Sequence, residues 1–222
     1  MSNKSLKKSV LENIVVTIIS TFGSIVIALI TAGFFKEWWD KRKETKSRKK
    51  LIKQIEKDEL IHFTLKEIKN QYHADRVSLI QFHNGGTFYT NSPMQKASMT
   101  FERSNDGLER MAPHLQNFFV SHYTAFIKSS IDGNMFYVDL NDMDDIATKA
   151  LFRMSGTQSV AAVPIYDRLT QFGAPNGNLI SLLIVNWVFS EVPSELISEQ
   201  DFSTEFKQQL HRDGQSIGNL LI

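Results

Sequence analysis

Ala74 to Gly85 reads ADRVSLIQFHNG. Within it, Arg76 to Phe82 alternates polar and apolar side chains, the two-residue period of a strand with one face toward a core. His83-Asn84-Gly85-Gly86 then supplies turn chemistry. Immediately upstream, Glu37 to about Tyr72 contains neither Pro nor Gly and is rich in Lys and Glu. Ile52, Ile55, Phe63, Leu65, Ile68 and Tyr72 recur there at broadly helical spacing, so a helix is expected to lead into the strand and pack its second half on the domain. Its heptads are too irregular to specify a coiled coil, although dimerisation through it stays open.

Downstream, Gln95 to Glu102 (QKASMTFE) is a second strand candidate, and Leu108 to Ser129 carries apolar residues at helical spacing, with Pro113 near its start. Met135 to Leu140 reads as a short strand and about 145 to 153 as a helix. Gln158 to Tyr166 (QSVAAVPIY) reads as a strand. Asp167 to Asn178, with two Gly and one Pro, is expected to be a hairpin loop. Leu179 to Val188 (LISLLIVNWV) is the most apolar run and therefore the expected central strand. Ser198 to Leu210 and Gly214 to Ile222 read as helical, as one broken helix or two.

The order is helix, two strands, helix, strand, helix, two strands, helix, and over about residues 55 to 222 it resembles a GAF domain, a relative of PAS domains. The phrases that carry the resemblance are ADRVSLIQFHNG at 74–85, SVAAVPIYD at 159–167 followed by LISLLIVNW, and FSEVPSELISEQDFSTEF. The chain also resembles uncharacterised membrane-anchored GAF-like proteins of bacteriophages that carry an FHNG sequence, here Phe82 to Gly85. The resemblance implies an α+β fold: an antiparallel sheet with helices on one side and a pocket on the other under a lid. It implies small-molecule binding, dimerisation or signal relay. The chain departs from the family in lacking the NKxxFxxxDE signature of cyclic-nucleotide binders, and it contains no cysteine to hold a bilin or reduce a sulfoxide. No catalytic output domain follows the stretch, so a sensor of this kind would act through a partner or its own oligomeric change.

Far upstream, Ile14 to Phe35 (IVVTIISTFGSIVIALITAGFF) is uncharged. As a helix it spans roughly 33 Å, enough for a bilayer core. A buried helix or a cleaved signal peptide fits less well, because Trp38-Trp39 and a basic run follow in the manner of a membrane interface. From Lys36 to Lys53 nine Lys or Arg face three acids, against Lys4, Lys7 and Lys8 on the other flank. Positive charge therefore predicts a single-pass membrane protein with its C-terminal domain in the cytoplasm. Trp38, Trp39, Lys41, Arg42 and Lys43 are the candidate interface residues, with anionic lipid as a partner. Ser20, Ser24, Ala28 and Ala32, four apart, form a small-residue face suited to helix–helix association and a homo-oligomer. The expected organisation is a tail (1–13), a transmembrane helix (14–35), a basic linker helix (36–72) and the GAF-like domain (73–222).

Candidate ligand residues are His83 and Asn84 at the strand end, Phe88 and Tyr89 as a stacking wall, and Trp187, with Asn186 on the opposite face of its strand. Each also has a purely structural reading as turn or core. Asp139, Asp142, Asp144 and Asp145 miss the calcium-loop spacing and suit a helix start instead. The six histidines form no HExxH or HxH pair, and no GxSxG, P-loop or GxGxxG occurs. Nothing supports a catalytic residue or a metal site, no cofactor is specified, and the basic run lacks the interleaved aromatics of a nucleic-acid surface. Two functions remain: a membrane-anchored sensory or regulatory module binding a small molecule or protein partner, and an oligomeric scaffold or membrane-remodelling (holin-like) protein with no ligand.

Overall fold

The computed structural model describes residues 3–87, 93–133, 135–167 and 177–222, with the backbone alone for 3–13, 29, 32, 34, 93 and 94. Its contacts divide into two compact units, Met1–Glu56 and Lys57–Ile222. One helix, α1 (Asn3–Gln71), contributes to both.

The first unit is helical. Ile14, Phe22, Ile25 and Ile30 are exposed on it. The hydroxyls of Ser20, Thr21, Ser24 and Thr31 each donate to a carbonyl three or four residues back. Among the described residues no helix is long and apolar enough to cross a membrane.

The second unit is built on a six-stranded antiparallel sheet. Its strands are β1 (Arg76–Thr87), β2 (Pro93–Ser104), β3 (Phe118–Phe119), β4 (Phe136–Tyr137), β5 (Ser159–Tyr166) and β6 (Leu179–Trp187). Their spatial order is β3-β2-β1-β6-β5-β4. β1 and β6 are thus central, as their apolar content requires, and they pair from Arg76↔Asn186 to Gln81↔Ser181.

One face of the sheet is covered by the end of α1 and by α4 (Thr204–Leu221). Ile61, Leu65 and Ile68 lie at helical spacing on α1, and Phe206, Leu210 and Ile217 do so on α4. Both sets bury against Val77, Leu79, Val163, Leu183 and Val185. Gly214 and Gly218 let α4 approach closely: a Cβ at Gly218 would lie 2.7 Å from Ile165 Cγ2. The helix runs unbroken through both glycines, one helix instead of two, and it begins later than the apolar pattern suggests. A two-strand hairpin, β7 (Ile197–Ser198) with β8 (Asp201–Phe202), precedes it, and Ser203 caps it by accepting from Phe206 N–H.

The opposite face is roofed by α2 (Thr124–Ile131), α3 (Ile146–Met154) and the segment before β3. Here the structure departs from the expected helix over 108–129. Pro113 cannot donate and disfavours helix around it. The N–H groups of Met111 and Ala112 are taken by the Glu102 carboxylate, and Leu115 O accepts from Met99 N–H. Phe118 and Phe119 then pair with Ala97 and Lys96 as an edge strand, leaving a 3₁₀ turn at Val120–Tyr123 and the α-helix Thr124–Ile131. The helix expected near 145 is present as α3, with Asp145 accepting from Thr148 N–H at its start.

Candidate functional site

Along β1, Val77 and Leu79 point into the helix-covered core, while Ile80 belongs to the core of the roofed face. Arg76 and Ser78 share that roofed face by alternation. Register then assembles a polar row in the middle of the sheet: Arg76 stands opposite Asn186, and Ser78 opposite Glu102. All four side chains are buried.

Arg76 and Glu102 form an ion pair, Nε to Oε1 3.0 Å, with side chains 2% and 0% exposed. The Nε–H is not aligned for a hydrogen bond, so the contact is charge to charge. Arg76 also donates to the carbonyls of Glu109 (2.8 Å) and Ser155 (3.3 Å). Glu102 accepts from Met111 N–H at 2.9 Å and Ala112 N–H at 3.0 Å. Exposed Arg110 lies 3.8 Å from its outer oxygen. The pair therefore ties the 109–112 segment and the end of α3 down onto the sheet. Burial pulls the Arg76 guanidinium below its ordinary value, and the Glu102 charge opposes that pull.

Between this row and the roof lies a cavity of about 20 Å³, room for one water. Its polar wall is Arg76, Ser78, Asn186 and Ser155; Ile80, Met99, Met111, Phe126, Phe152 and Ile184 contribute the apolar part. The Ser78 hydroxyl, fully buried, has no hydrogen-bond partner. Asn186 Nδ2 donates to Thr157 Oγ1 at 3.3 Å.

A larger open groove of about 590 Å³ runs past Asp139, Asn141, Arg153, Gln158 and Glu191. Three of its polar residues are engaged with one another: Arg153 donates to Asn141 Oδ1 at 2.6 Å, and Asp139 accepts from Asn141 N–H at 2.8 Å. Asp139 and Asp145 thus serve local turns and caps, and among the described residues no cluster of three His, Asp or Glu is placed to hold a metal ion.

The structure brings few of the sequence candidates to the cavity. His83 is half-buried, with Nε2 3.0 Å from Ser98 Oγ. Asn84 is exposed and accepts from Gly86 N–H at 2.9 Å, a local turn closed by Gly86 at φ +99°. Neither lines the cavity. Phe88 and Tyr89 lie outside the described residues. Trp187 sits elsewhere than the expected pocket wall: its ring is fully buried in the helix-side core, 5.5 Å from Phe202, and Nε1–H donates to Tyr72 O. By alternation its neighbour Asn186 takes the cavity side. In the first unit, Ser20, Ser24 and Ala28 are exposed and Ala32 has no described side chain. Trp38, Trp39, Lys41, Arg42 and Lys43 are exposed, with the Arg42 guanidinium 5.0 Å over the Trp38 ring.

No family model matches this chain, and no curated protein matches it. Solved structures do. A far-red cyanobacteriochrome photoreceptor superposes with a TM-score of 0.54 at 12% identity, covering 81% of this chain and 95% of the other. The photoproduct state of a GAF3 domain from Synechocystis gives 0.52 at 12% identity, over 74% and 92%. The blue-light absorbing form of the Thermosynechococcus elongatus PixJ GAF domain gives 0.51 at 10% identity, over 76% and 86%. At such identities the likeness is one of fold, and the fold of this chain is GAF-like.

Proposed function

We propose that this chain is a membrane-anchored sensory or regulatory module whose GAF-like domain binds a small molecule between the sheet and its α2–α3 roof. The observation that carries the reading is the unpartnered, fully buried Ser78 hydroxyl beside the Arg76–Glu102 pair. Burying such groups costs free energy that an apolar core avoids, and their presence at one cavity supports a binding role there. Photoreception of the kind named for the neighbours is not part of the proposal: the chain has no cysteine, and the cavity is small.

Anchoring is supported by the uncharged residues 14–35 and by the internally bonded hydroxyls of Ser20, Thr21, Ser24 and Thr31, which leave no polar group of theirs for water to satisfy. The basic run at 36–53 supports a cytoplasmic domain and contact with anionic lipid. Self-association is supported by the small residues Ser20, Ser24, Ala28 and Ala32 and, in the second unit, by exposed Leu60 and Phe63 on the side of α1 away from Ile61 and Leu65.

The test is native mass spectrometry of the full chain released from nanodiscs. A co-purifying small molecule, absent from a folded Ser78→Leu variant, supports the reading; a ligand-free mass for the wild type, unchanged across a metabolite panel, removes it. The closed state of the cavity favours a second reading, an oligomeric scaffold in which the domain only makes contacts. That reading requires Ser24→Leu to abolish oligomers and function together, and Ser78→Leu to leave both intact.

A further inference from the structure

We infer that the ligand of this cavity is a small uncharged amphipathic molecule, an apolar and preferably planar body bearing one hydroxyl or carbonyl, and that anions and cations are refused. The inference rests on the ligand-binding reading above and names its chemistry. Charge sets the first limit. The guanidinium of Arg76 already faces Glu102 at 3.0 Å inside a buried wall. An incoming carboxylate or phosphate must displace Glu102, which also holds Met111 and Ala112 N–H. Two amides would lose their acceptor and a second negative charge would be buried beside the first. An ammonium group meets the converse difficulty, since it would compete with Arg76 for Glu102 and strand the guanidinium.

Hydrogen bonding sets the second limit. Ser78 Oγ is the unpartnered hydroxyl on the wall, and a hydroxyl both donates and accepts; Arg76 Nε–H, the other wall atom without a hydrogen bond, already faces the Glu102 charge. One neutral polar atom on the ligand satisfies the Ser78 hydroxyl. Shape sets the third. The remaining wall includes Phe126 and Phe152, whose rings meet edge to face at 5.6 Å, together with Met99 and Met111. A space of about 20 Å³ does not admit an organic ligand, so the wall has to move. Methionine is the side chain suited to that movement: unbranched, polarisable and favourable against aromatic rings. Rotation of Met99 and Met111 enlarges the cavity without breaking the ion pair that holds the roof.

The experiment uses the full chain in nanodiscs with ¹³C-methyl methionine. The exposed Met154 is the internal control for ligand dissolved in lipid. The probes are benzyl alcohol, toluene, benzoate and benzylammonium, matched in size. Benzyl alcohol is expected to shift the Met99 and Met111 methyls saturably, leaving Met154 in place, while the two ions do not. Toluene is expected to bind more weakly, and Ser78→Ala to weaken benzyl alcohol by about two- to tenfold, the worth of one neutral hydrogen bond. Should the variant fail to fold, the wild-type probe series decides alone. Benzoate or benzylammonium binding as well as the alcohol, or toluene equal to it, overturns the ligand class. If no probe shifts Met99 or Met111, the class is overturned too; an unrelated adduct lost in Ser78→Leu would then leave the ligand-binding reading standing, and its absence would remove both.

Discussion

Removing Glu102 is the sharpest test of how the roof is held. Its carboxylate is fully buried, faces Arg76 Nε at 3.0 Å and accepts from two amides of the roof segment. In Glu102→Ala the guanidinium keeps only the carbonyls of Glu109 and Ser155. Stranding one partner of a buried pair costs about 3–5 kcal/mol, and the Met111 and Ala112 amides add about 1 kcal/mol or more. The total, about 4–6 kcal/mol, is a large part of the ~5–15 kcal/mol that stabilises a domain. Replacing both partners by apolar residues of similar volume, Arg76→Met with Glu102→Leu, removes the stranded charge and recovers part of the loss. The assay is urea unfolding of the full chain followed by fluorescence. Trp38→Phe and Trp39→Phe leave Trp187, which is fully buried, as the reporter. A coupling of about 2 kcal/mol or more between the two sites is expected from the double-mutant cycle. Additive single-site losses, or a Glu102→Ala cost below about 1 kcal/mol, would refute the account of the roof as latched by this pair.

Three further outcomes are expected. Asp75→Ala strips the acceptor from the N–H groups of Val188, Phe189 and Ser190, each at 2.8 Å, and is expected to cost about 2–4 kcal/mol in the same unfolding assay. Burial alone would raise the Asp75 pKa, but the hydrogen bonds from Ser190, Val188 and Phe189 outweigh it and hold the group below its ordinary value. Its stabilisation is therefore complete above the unfolded value of about 3.9 and is lost as pH falls through the lower folded one; Asp75→Asn should flatten that acid limb of the stability profile. Gly218→Ala puts a Cβ 2.7 Å from Ile165 Cγ2, a fully buried branched side chain. Despite better helix propensity it is expected to lower stability by about 1–3 kcal/mol, and a stabilised variant by calorimetry would show that α4 has slack. His83→Ala removes one half-buried contact to Ser98 and is expected to cost about 1 kcal/mol or less, with no change in the methionine methyl response to benzyl alcohol; loss of that response would move the site toward the strand end.

The strands were legible because their periodicity is local. Leu179–Trp187 is apolar on both faces and lies next to β1 in the middle of the sheet, as such a run must. The end of β1 was the harder place to read: the strand runs on to Thr87, because HNGG forms an irregularity between Asn84 and Thr87, with Gly86 at φ +99°, that interrupts the pairing with β2 without ending it. The 108–129 segment misled for a different reason. Its helical spacing is genuine, but the partners that compete for its backbone are remote: Glu102 for Met111 and Ala112, Met99 for Leu115, and β2 for Phe118–Phe119. Propensity within a window cannot register a hydrogen bond from another strand.

The cavity was hidden by the same alternation that revealed β1. In RVSLIQF the polar members, Arg76 and Ser78, read as the wet face of a half-buried strand, whereas the roof buries that face too. The pattern was right about which residues share a face and silent about what covers it. Glu102 and Asn186 join them only through register across two neighbouring strands, 26 and 110 positions from Arg76 in sequence. Trp187 drew attention as a large aromatic, yet alternation hands the cavity side to Asn186 and leaves the ring to the helix-side core. Among the described residues, the buried charge pair and the unpartnered hydroxyl of the sheet thus lie where local rules fail, and that concentration of cost beside one cavity is the physical reason to look for a ligand there.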